Sequence, residues 1–491
     1  MERKILQKLI DWHQRDARHP LVLRGARQVG KTYLVRELGK RFKYYLEINF
    51  ESDPLTSGFF SSKDPRAICE LLESKFDVPL IDGESLLFLD ELQDAAPEVL
   101  ESLRYFYEKR PGLHIVAAGS LLEFLLDADQ RKKKRENFSM PVGRIEYMFV
   151  GPMDFEEFLA AVGKKGLVRW LKGYQLGDKV EESFHTELCD WFKKYLVIGG
   201  MPAVVDRYVR GGVLAAEREQ QIILSTYHDD FPKYSERVPA ERLQKVFKAV
   251  PRMLASKLIY ARVDADERSR ELESAVRLLC LARVMAKVRH TSADKAPIGY
   301  GAEDKVFKPI FLDVGLCTRT LGLKLSDFLA QGDAILANQG AICEQFAGQH
   351  LLYDRVEYEE PEVYCWMRET QGSQAEVDYI TQIGCELIPV EIKAGTTGSL
   401  KGLHLYLNEK HINRAVRFNL DYPSYLPDAH SKDVLGRECQ FKFLSLPLYM
   451  ICEYRRLAEQ AFSRENNVSI KPGVETGESE VVNRQLSTDD L

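Results

Sequence analysis

The chain is predicted to be an α/β protein in three parts: a parallel-sheet domain, a mostly helical middle region, and a second α/β domain towards the C-terminal end. Three observations carry that reading. Residues 21–32, Leu-Val-Leu-Arg-Gly-Ala-Arg-Gln-Val-Gly-Lys-Thr, pass from an apolar strand through a glycine-bounded loop into a helical pattern that runs to Lys40. Residues 85–91 place two carboxylates, Asp90 and Glu91, directly after the apolar run Leu86 to Leu89. Between Gln339 and Lys393 a helix, a strand, a turn at Gly384 and a second strand follow one another, carrying Glu344, Asp378, Glu391 and Lys393.

The first stretch is G-x-x-x-x-G-K-[ST] with a strand before it and a helix after it, the setting of a phosphate-binding P-loop. Backbone N–H groups of residues 26–32 are expected to wrap phosphates, aided by the positive end of the helix dipole. Gly25 closes the strand without a side chain in the way, and Gly30 lets the backbone turn tightly. The expected binding set is therefore Gly25, Ala26, Arg27, Gln28, Val29, Gly30, Lys31 and Thr32, with Lys31 reaching the β/γ-phosphates and Thr32 holding Mg²⁺. The second stretch reads as a buried parallel strand whose carboxyl end faces the same crevice. Asp90 then binds Mg²⁺ through its water shell, and Glu91 orients or deprotonates an attacking water.

Size and composition set the frame. At 491 residues the chain has room for about three domains, and 45% hydrophobic with 29% charged residues is the balance of a soluble globular protein. A net charge of −6 excludes a surface that is basic throughout, so contact with DNA or RNA must come from local patches. The nine cysteines are singletons without C-x-x-C, which argues against a zinc site or a redox pair. Met1-Glu2-Arg3-Lys4 lacks the apolar core of a signal peptide, and no run of about 18 apolar residues appears. The expectation is a cytoplasmic protein of a prokaryotic type with no membrane span.

Within the first domain, Ile5, Leu6, Leu9, Ile10 and Trp12 have helical spacing, and Tyr44 to Phe50 alternate as a strand. Leu113 to Ala118 read as another buried strand. Ser120 after it is placed to sense a γ-phosphate or position water, and equally to N-cap the helix beginning at Leu121. The run Arg131-Lys132-Lys133-Lys134-Arg135 is a solvated loop or a phosphate-backbone contact.

Taken together, Gly25–Thr32, Leu89-Asp90-Glu91-Leu92-Gln93 and Ala118-Gly119-Ser120 resemble the prokaryotic AAA-superfamily ATP-binding proteins that carry a C-terminal domain of unknown function. Pro141-Val142-Gly143-Arg144, Gly151-Pro152-Met153-Asp154-Phe155, Gly199-Gly200-Met201-Pro202 and Lys308-Pro309-Ile310-Phe311-Leu312-Asp313-Val314-Gly315-Leu316 extend the resemblance over roughly residues 1–455. It implies a P-loop NTPase of AAA type with ATP and Mg²⁺ as cofactors. Arg27 and Gln93 are typical of the motifs. Arg144 is the candidate γ-phosphate sensor or arginine finger, or else a structural ion pair at a domain junction.

From Met153 to about Ala240 the pattern is helical, broken at Gly199-Gly200-Met201-Pro202, and is read as a lid over the nucleotide crevice. Tyr227-His228-Asp229-Asp230-Phe231 reads as helix capping or pairing with basic residues rather than as a metal site. Residues 241–316 resemble a winged helix, with strands at 281–288 and 307–312 as the wing. Its would-be recognition helix, Ser269 to Leu279, carries Glu271 and Glu273, which would repel phosphate, so a packing role is expected.

In the last part, Asp378 and Glu391-x-Lys393 form the D…E-x-K signature of restriction-endonuclease-like folds. The period of two puts Glu391 and Lys393 on one strand face. With Asp378 opposite, two carboxylates can hold Mg²⁺ against a scissile phosphate while Lys393 activates water. Glu344 resembles the additional acidic ligand of that superfamily. Without metal, mutual repulsion should raise some of the carboxyl pKa values. Trp366 and Arg368 contact nucleic acid or pack in the core. Residues beyond 460 are polar and expected to be disordered.

The sequence thus predicts four segments: an AAA-type ATPase domain at 1–165, a helical lid with a winged-helix-like module at 166–330, a restriction-endonuclease-like domain at 331–460, and a tail at 461–491. Two outputs are open. In one, ATP state gates cleavage of DNA or RNA by Asp378, Glu391 and Lys393. In the other, an ATP-dependent switch or scaffold uses an inactive nuclease-like domain to bind a protein partner. Assembly into a homo-oligomer is compatible with both.

Overall fold

The computed structural model describes residues 1–119, 143–234, 238–323, 340–370, 373–395 and 398–463. Ser120, the basic run at 131–135 and the tail from 464 lie outside the described residues. The chain divides into two compact units. The first comprises Met1–Met153 with Arg277–Val284 and Arg355–Pro361; the second comprises Asp154–Val276, Met285–Asp354 and the chain from Glu362 onward.

The first unit is built from α1 (Lys4–His13), β1 (Leu21–Arg24), α2 (Lys31–Gly39), β2 (Tyr44–Asn49), α3 (Pro65–Phe76), β3 (Ser85–Asp90), α4 (Pro97–Lys109), β4 (His114–Ala118) and β5 (Glu146–Phe149). Its five strands pair in parallel in the order β2-β3-β4-β1-β5. β3 and β4 lie inside the sheet and every one of their residues is buried, which is why their sequences are nearly unbroken apolar runs. Leu46, Ile48, Leu87, Leu89, Leu103, Phe106 and Ile115 form one core. α3 starts where Asp64 accepts the N–H of Arg66 and Pro65 occupies the first turn. The outer edge of β5 is covered by residues from much later in the chain: Phe149 N–H donates to Glu357 O at 2.8 Å. Arg24 and Arg283 both pair with Glu360, at 3.2 and 2.5 Å, and both lie over the Phe149 ring.

The second unit opens with α5 (Phe155–Ala161), set by a capping box between Asp154 and Glu157. It continues through α6 (Lys165–Gly173), α7 (Glu182–Ile198), α8 (Pro202–Asp230), α9 (Ala240–Ala249) and α10 (Ser269–Leu281), whose last turns fall in the first unit. Then come β6 (Met285–Thr291), β7 (Ala302–Phe311), α11 (Val314–Thr320), α12 (Gly340–Leu352), β8 (Val363–Thr370), β9 (Ser373–Ile383), β10 (Glu386–Ile392), α13 (Lys401–Lys410), β11 (Arg414–Asn419), β12 (Ser424–Lys432), β13 (Glu438–Pro447) and α14 (Tyr454–Ser463).

One eight-stranded sheet, in the order β12-β13-β11-β10-β9-β8-β6-β7, spans this unit. The two strands expected as the wing of a separate module are its edge: β6 pairs with β7 in antiparallel and with β8 in parallel. The sheet therefore contains strands from both sides of the boundary expected near residue 330. The reason is apolar content, since Phe307 to Phe311 are all buried or nearly so and need cover that an isolated wing would lack. The first wing strand also starts later than expected, because α10 continues to Leu281 and a turn with Arg283 at φ 56° intervenes. On α10, Leu272, Ala275, Val276 and Leu279 are buried and Glu271 pairs with Arg242 at 2.8 Å, in keeping with packing rather than base reading.

The Gly-Gly-Met-Pro break is a joint. Gly199 ends α7 with φ 79°, and a Cβ there would lie 2.1 Å from Asp313 Oδ1. Asp313 is buried, accepts the N–H of Gly200 at 2.6 Å, and caps α11 through the N–H of Leu316 at 2.9 Å. Two family-like motifs a hundred residues apart in the chain thus explain each other. His228 packs on Phe231 and Phe247, and Asp230 pairs with Lys233 at 3.5 Å, which is the pairing with a basic residue rather than helix capping. Trp366 is buried against Tyr406, and Arg368 pairs with Glu409 at 3.1 Å.

Candidate functional site

The loop 25–32 lies at the carboxyl end of β1, between neighbours β4 and β5. Gly25 is there because no other residue fits: a Cβ would meet Val150 O at 2.2 Å. Gln28 and Gly30 take positive φ, 66° and 95°, so the loop curls back before α2 begins at Lys31. Such a curl turns successive N–H groups towards one centre. Lys31 is buried, and its Nζ donates to the carbonyls of Gly25 and Ala26, each at 2.8 Å.

Asp90 ends β3 and is buried. Its Oδ2 accepts the Thr32 hydroxyl at 3.0 Å, and its Oδ1 accepts the N–H of Glu91 at 3.0 Å. Burial, then the neighbouring Glu91 charge, push the Asp90 carboxyl up to about 6, with the Thr32 hydrogen bond opposing. Glu91 sits at φ 52°, an uncommon conformation for a side chain of this kind. Its Oε2 accepts Gln93 Nε2 at 2.7 Å, which aims the carboxylate. The structure thus brings Lys31, Thr32, Asp90 and Glu91 to one end of the sheet.

One residue of this site carried no sequence signal. Arg3, buried at the start of α1, donates to Val29 O at 2.9 Å and to Gly151 O at 2.8 Å, clamping the loop from outside it. Arg144 goes the other way. β5 pairs with β1 in parallel, Leu21 opposite Glu146, so Arg144 precedes the amino end of the strand pair while the loop follows the carboxyl end. A strand length of roughly 10 Å separates the two ends. Arg144 pairs with Glu108 at 3.1 Å and lies over the Tyr107 ring. Arg144 thus stands at the amino end of the strand pair, engaged with Glu108 and Tyr107.

In the second unit the D…E-x-K residues converge. β9 and β10 are antiparallel with Val390 opposite Tyr379, which sets Asp378 across from Glu391. Ile392 N–H donates to Asp378 Oδ2 at 2.8 Å, and Lys393 Nζ donates to Glu391 Oε1 at 2.6 Å. Glu344, from α12, joins them through a residue the motif reading had not singled out for this site. Lys308 on β7 is 2% exposed and places Nζ 3.0 Å from Glu344 Oε2 and 3.6 Å from Asp378 Oδ1. Burial first, and then the Asp378 charge, push both Glu344 and Glu391 above the usual carboxylate range. Burial alone would lower Lys308, but Glu344 and Asp378 outweigh it and hold the ammonium charged. Three carboxyl groups face two ammoniums, and the raised pKa values of Glu344 and Glu391 follow from burial and from mutual repulsion. No group of three or more His, Cys, Asp or Glu side chains able to hold a metal ion occurs among the described residues.

A parallel sheet in the order 2-3-4-1-5 with a glycine-bounded loop after its β1 defines an α/β domain of the P-loop NTPase class. Residues 17–159 match the family model of the AAA domain, so the chain carries a domain of AAA type. Residues 339–425 match a domain of unknown function, DUF4143, and residues 189–327 match another, DUF8612. No curated protein matches the chain. Among solved structures, the Walker-type ATPase PABY2304 of Pyrococcus abyssi is 17% identical over 66% of this chain and 96% of its own, with a TM-score of 0.42. Cdc6p from Pyrobaculum aerophilum is 13% identical over 65% and 93%, with a TM-score of 0.24. The Drosophila ORC bound to DNA is 14% identical over 65% and 85%, with a TM-score of 0.21. No helix among the described residues is long and apolar enough to cross a membrane.

Proposed function

We propose that the first unit binds Mg·ATP on the loop 25–32 and hydrolyses it. The observation that carries this is the contact of Thr32 with Asp90 beside a buried Lys31 at the carboxyl end of a parallel sheet. The donor set suits Mg²⁺: a hydroxyl and a carboxylate oxygen stand 3.0 Å apart, both hard oxygen ligands. Thr32 and Asp90 would hold the ion, which when bound offsets charge on the phosphate oxygens. Lys31, resting on two carbonyls of its own loop, exchanges them for phosphate oxygens. The N–H groups of the loop bind the phosphates, and Glu91, steadied by Gln93, takes the proton of the attacking water. Lys31→Ala should abolish nucleotide uptake in a titration with a fluorescent ATP analogue. Glu91→Gln should keep uptake yet cut turnover by on the order of 10² or more. Hydrolysis by Glu91→Gln at the wild-type rate would remove Glu91 from this role.

For the output we propose a switch or scaffold whose C-terminal unit does not cut nucleic acid. The pairing of Lys308 with Glu344 and Asp378 favours this over ATP-gated cleavage. Plasmid, linear DNA and RNA incubated with the full chain, ATP and Mg²⁺ or Mn²⁺ should stay intact. Cleavage that Lys393→Ala abolishes would reinstate the nuclease.

A further inference from the structure

The metal implied by the D…E-x-K signature meets donors that are already engaged. Asp378 gives one oxygen to Lys308 and the other to the N–H of Ile392. Glu344 Oε2 is paired with Lys308, and Glu391 Oε1 with Lys393. Glu391 Oε2 is buried without a partner, and Glu344 Oε1 lies outside the pairing with Lys308. Mg²⁺ takes a near-octahedral set of oxygens at about 2.0–2.1 Å and relies on carboxylate charge to bind. Two free oxygens from different residues, with a fixed ammonium between Glu344 and Asp378, supply neither, so the residues do not fit the ion.

Lys308 is placed as a permanent part of this cluster. It stands in the buried run Phe307 to Phe311, where a charge persists only when paired. Its ammonium also lies 5.5 Å from the Tyr379 ring, and Tyr379 donates its hydroxyl to Glu344 O at 2.7 Å. β7, α12 and β9 are thus tied at one point. We propose that Lys308 is the resident cation of this site, standing where a divalent metal would stand between Glu344 and Asp378. The wild-type cluster then binds neither Mg²⁺ nor Mn²⁺, and a divalent ion enters only when Lys308 is removed. Charge supports the exchange: without Lys308, three carboxyl groups face Lys393 alone, and the place between Glu344 and Asp378 is left without a cation. The inference rests on the non-cleaving reading above.

Mn²⁺ binding to the nucleotide-free full chain, followed by electron paramagnetic resonance, tests it. Wild type and Asp378→Asn/Glu391→Gln should bind Mn²⁺ equally. Lys308→Ala should gain one Mn²⁺ per chain at least about tenfold tighter than wild type. It should also show a Mn²⁺-dependent rise in melting temperature that Lys308→Ala/Asp378→Asn/Glu391→Gln lacks. A folded Lys308→Ala that gains no ion overturns the proposal. So does a Mn²⁺ held by wild type and lost in Asp378→Asn/Glu391→Gln, a comparison that needs no Lys308 variant. Such an ion with plasmid left intact overturns this inference alone, whereas Lys393-dependent cleavage overturns the non-cleaving reading as well.

Discussion

Replacing Arg3 by Met keeps the length and apolar stem of the side chain and removes its charge and donors. Two carbonyls, Val29 O and Gly151 O, then lose charged hydrogen bonds of 2.9 and 2.8 Å in a buried setting. Each such bond contributes about 1.5–3 kcal/mol net. Entry of water would recover part of the sum, which leaves a loss of about 3 kcal/mol. Val29 immediately precedes Gly30 and Lys31, so the slackened backbone is the one expected to bind phosphate. If half of the lost energy had served to hold that curve ready, nucleotide affinity falls about tenfold, since 1.4 kcal/mol is one decade. A fluorescent-ATP titration beside a urea denaturation curve reads both quantities. Arg3→Lys, with a single ammonium for two carbonyls, should fall between. An unchanged Kd together with an unchanged denaturation midpoint in Arg3→Met would refute the clamp.

Two further outcomes concern stability. Asp313→Asn would turn an amide NH₂ towards N–H donors at Gly200 or Leu316, costing about 1–3 kcal/mol and lowering the denaturation midpoint; an unshifted midpoint would argue against the joint. His114 is buried, accepts Arg18 Nη2 at 3.1 Å, and is held down to about 3 by burial first and the Arg18 charge second. Because the unfolded imidazole takes its proton near 6.5, stability is full above that pH and is lost as pH falls from 6.5 towards 3. The slope approaches about 1.4 kcal/mol per pH unit. His114→Gln should flatten this limb between pH 7 and pH 5 in urea titrations, and an identical slope would assign the loss to other groups.

The candidate nucleotide site could be assembled from the sequence because its residues are local in the chain. Gly25 to Thr32 and Leu89 to Glu91 each hold strand, turn and functional group within a dozen residues, so periodicity alone set them at one end of a sheet. Asp378 and Glu391 were readable for the same reason, being two strands of one hairpin. Lys308 was not, since its role depends on β7, α12 and β9 meeting across the fold. A lysine inside Val306-Phe307-Lys308-Pro309-Ile310-Phe311 was nonetheless a usable sign, because a charge in a buried run requires a partner. Arg3 carried no such sign. β6 and β7 were recognised as strands that pair with each other, but the further neighbour β8 was not, as alternation states which face is apolar and not which strand lies alongside.

The route of the backbone through the first unit bears on how this protein can be dissected or rearranged. A gene shortened after Met153 would encode β5 with a bare flank, lacking the amide partner at Glu357 and the carboxylate of Glu360. Bare flanks of that kind attract strands from other molecules. The first unit is therefore no cassette to be cut out and fused elsewhere: three separated stretches of polypeptide must be inherited together for the β5 side of its sheet to be finished.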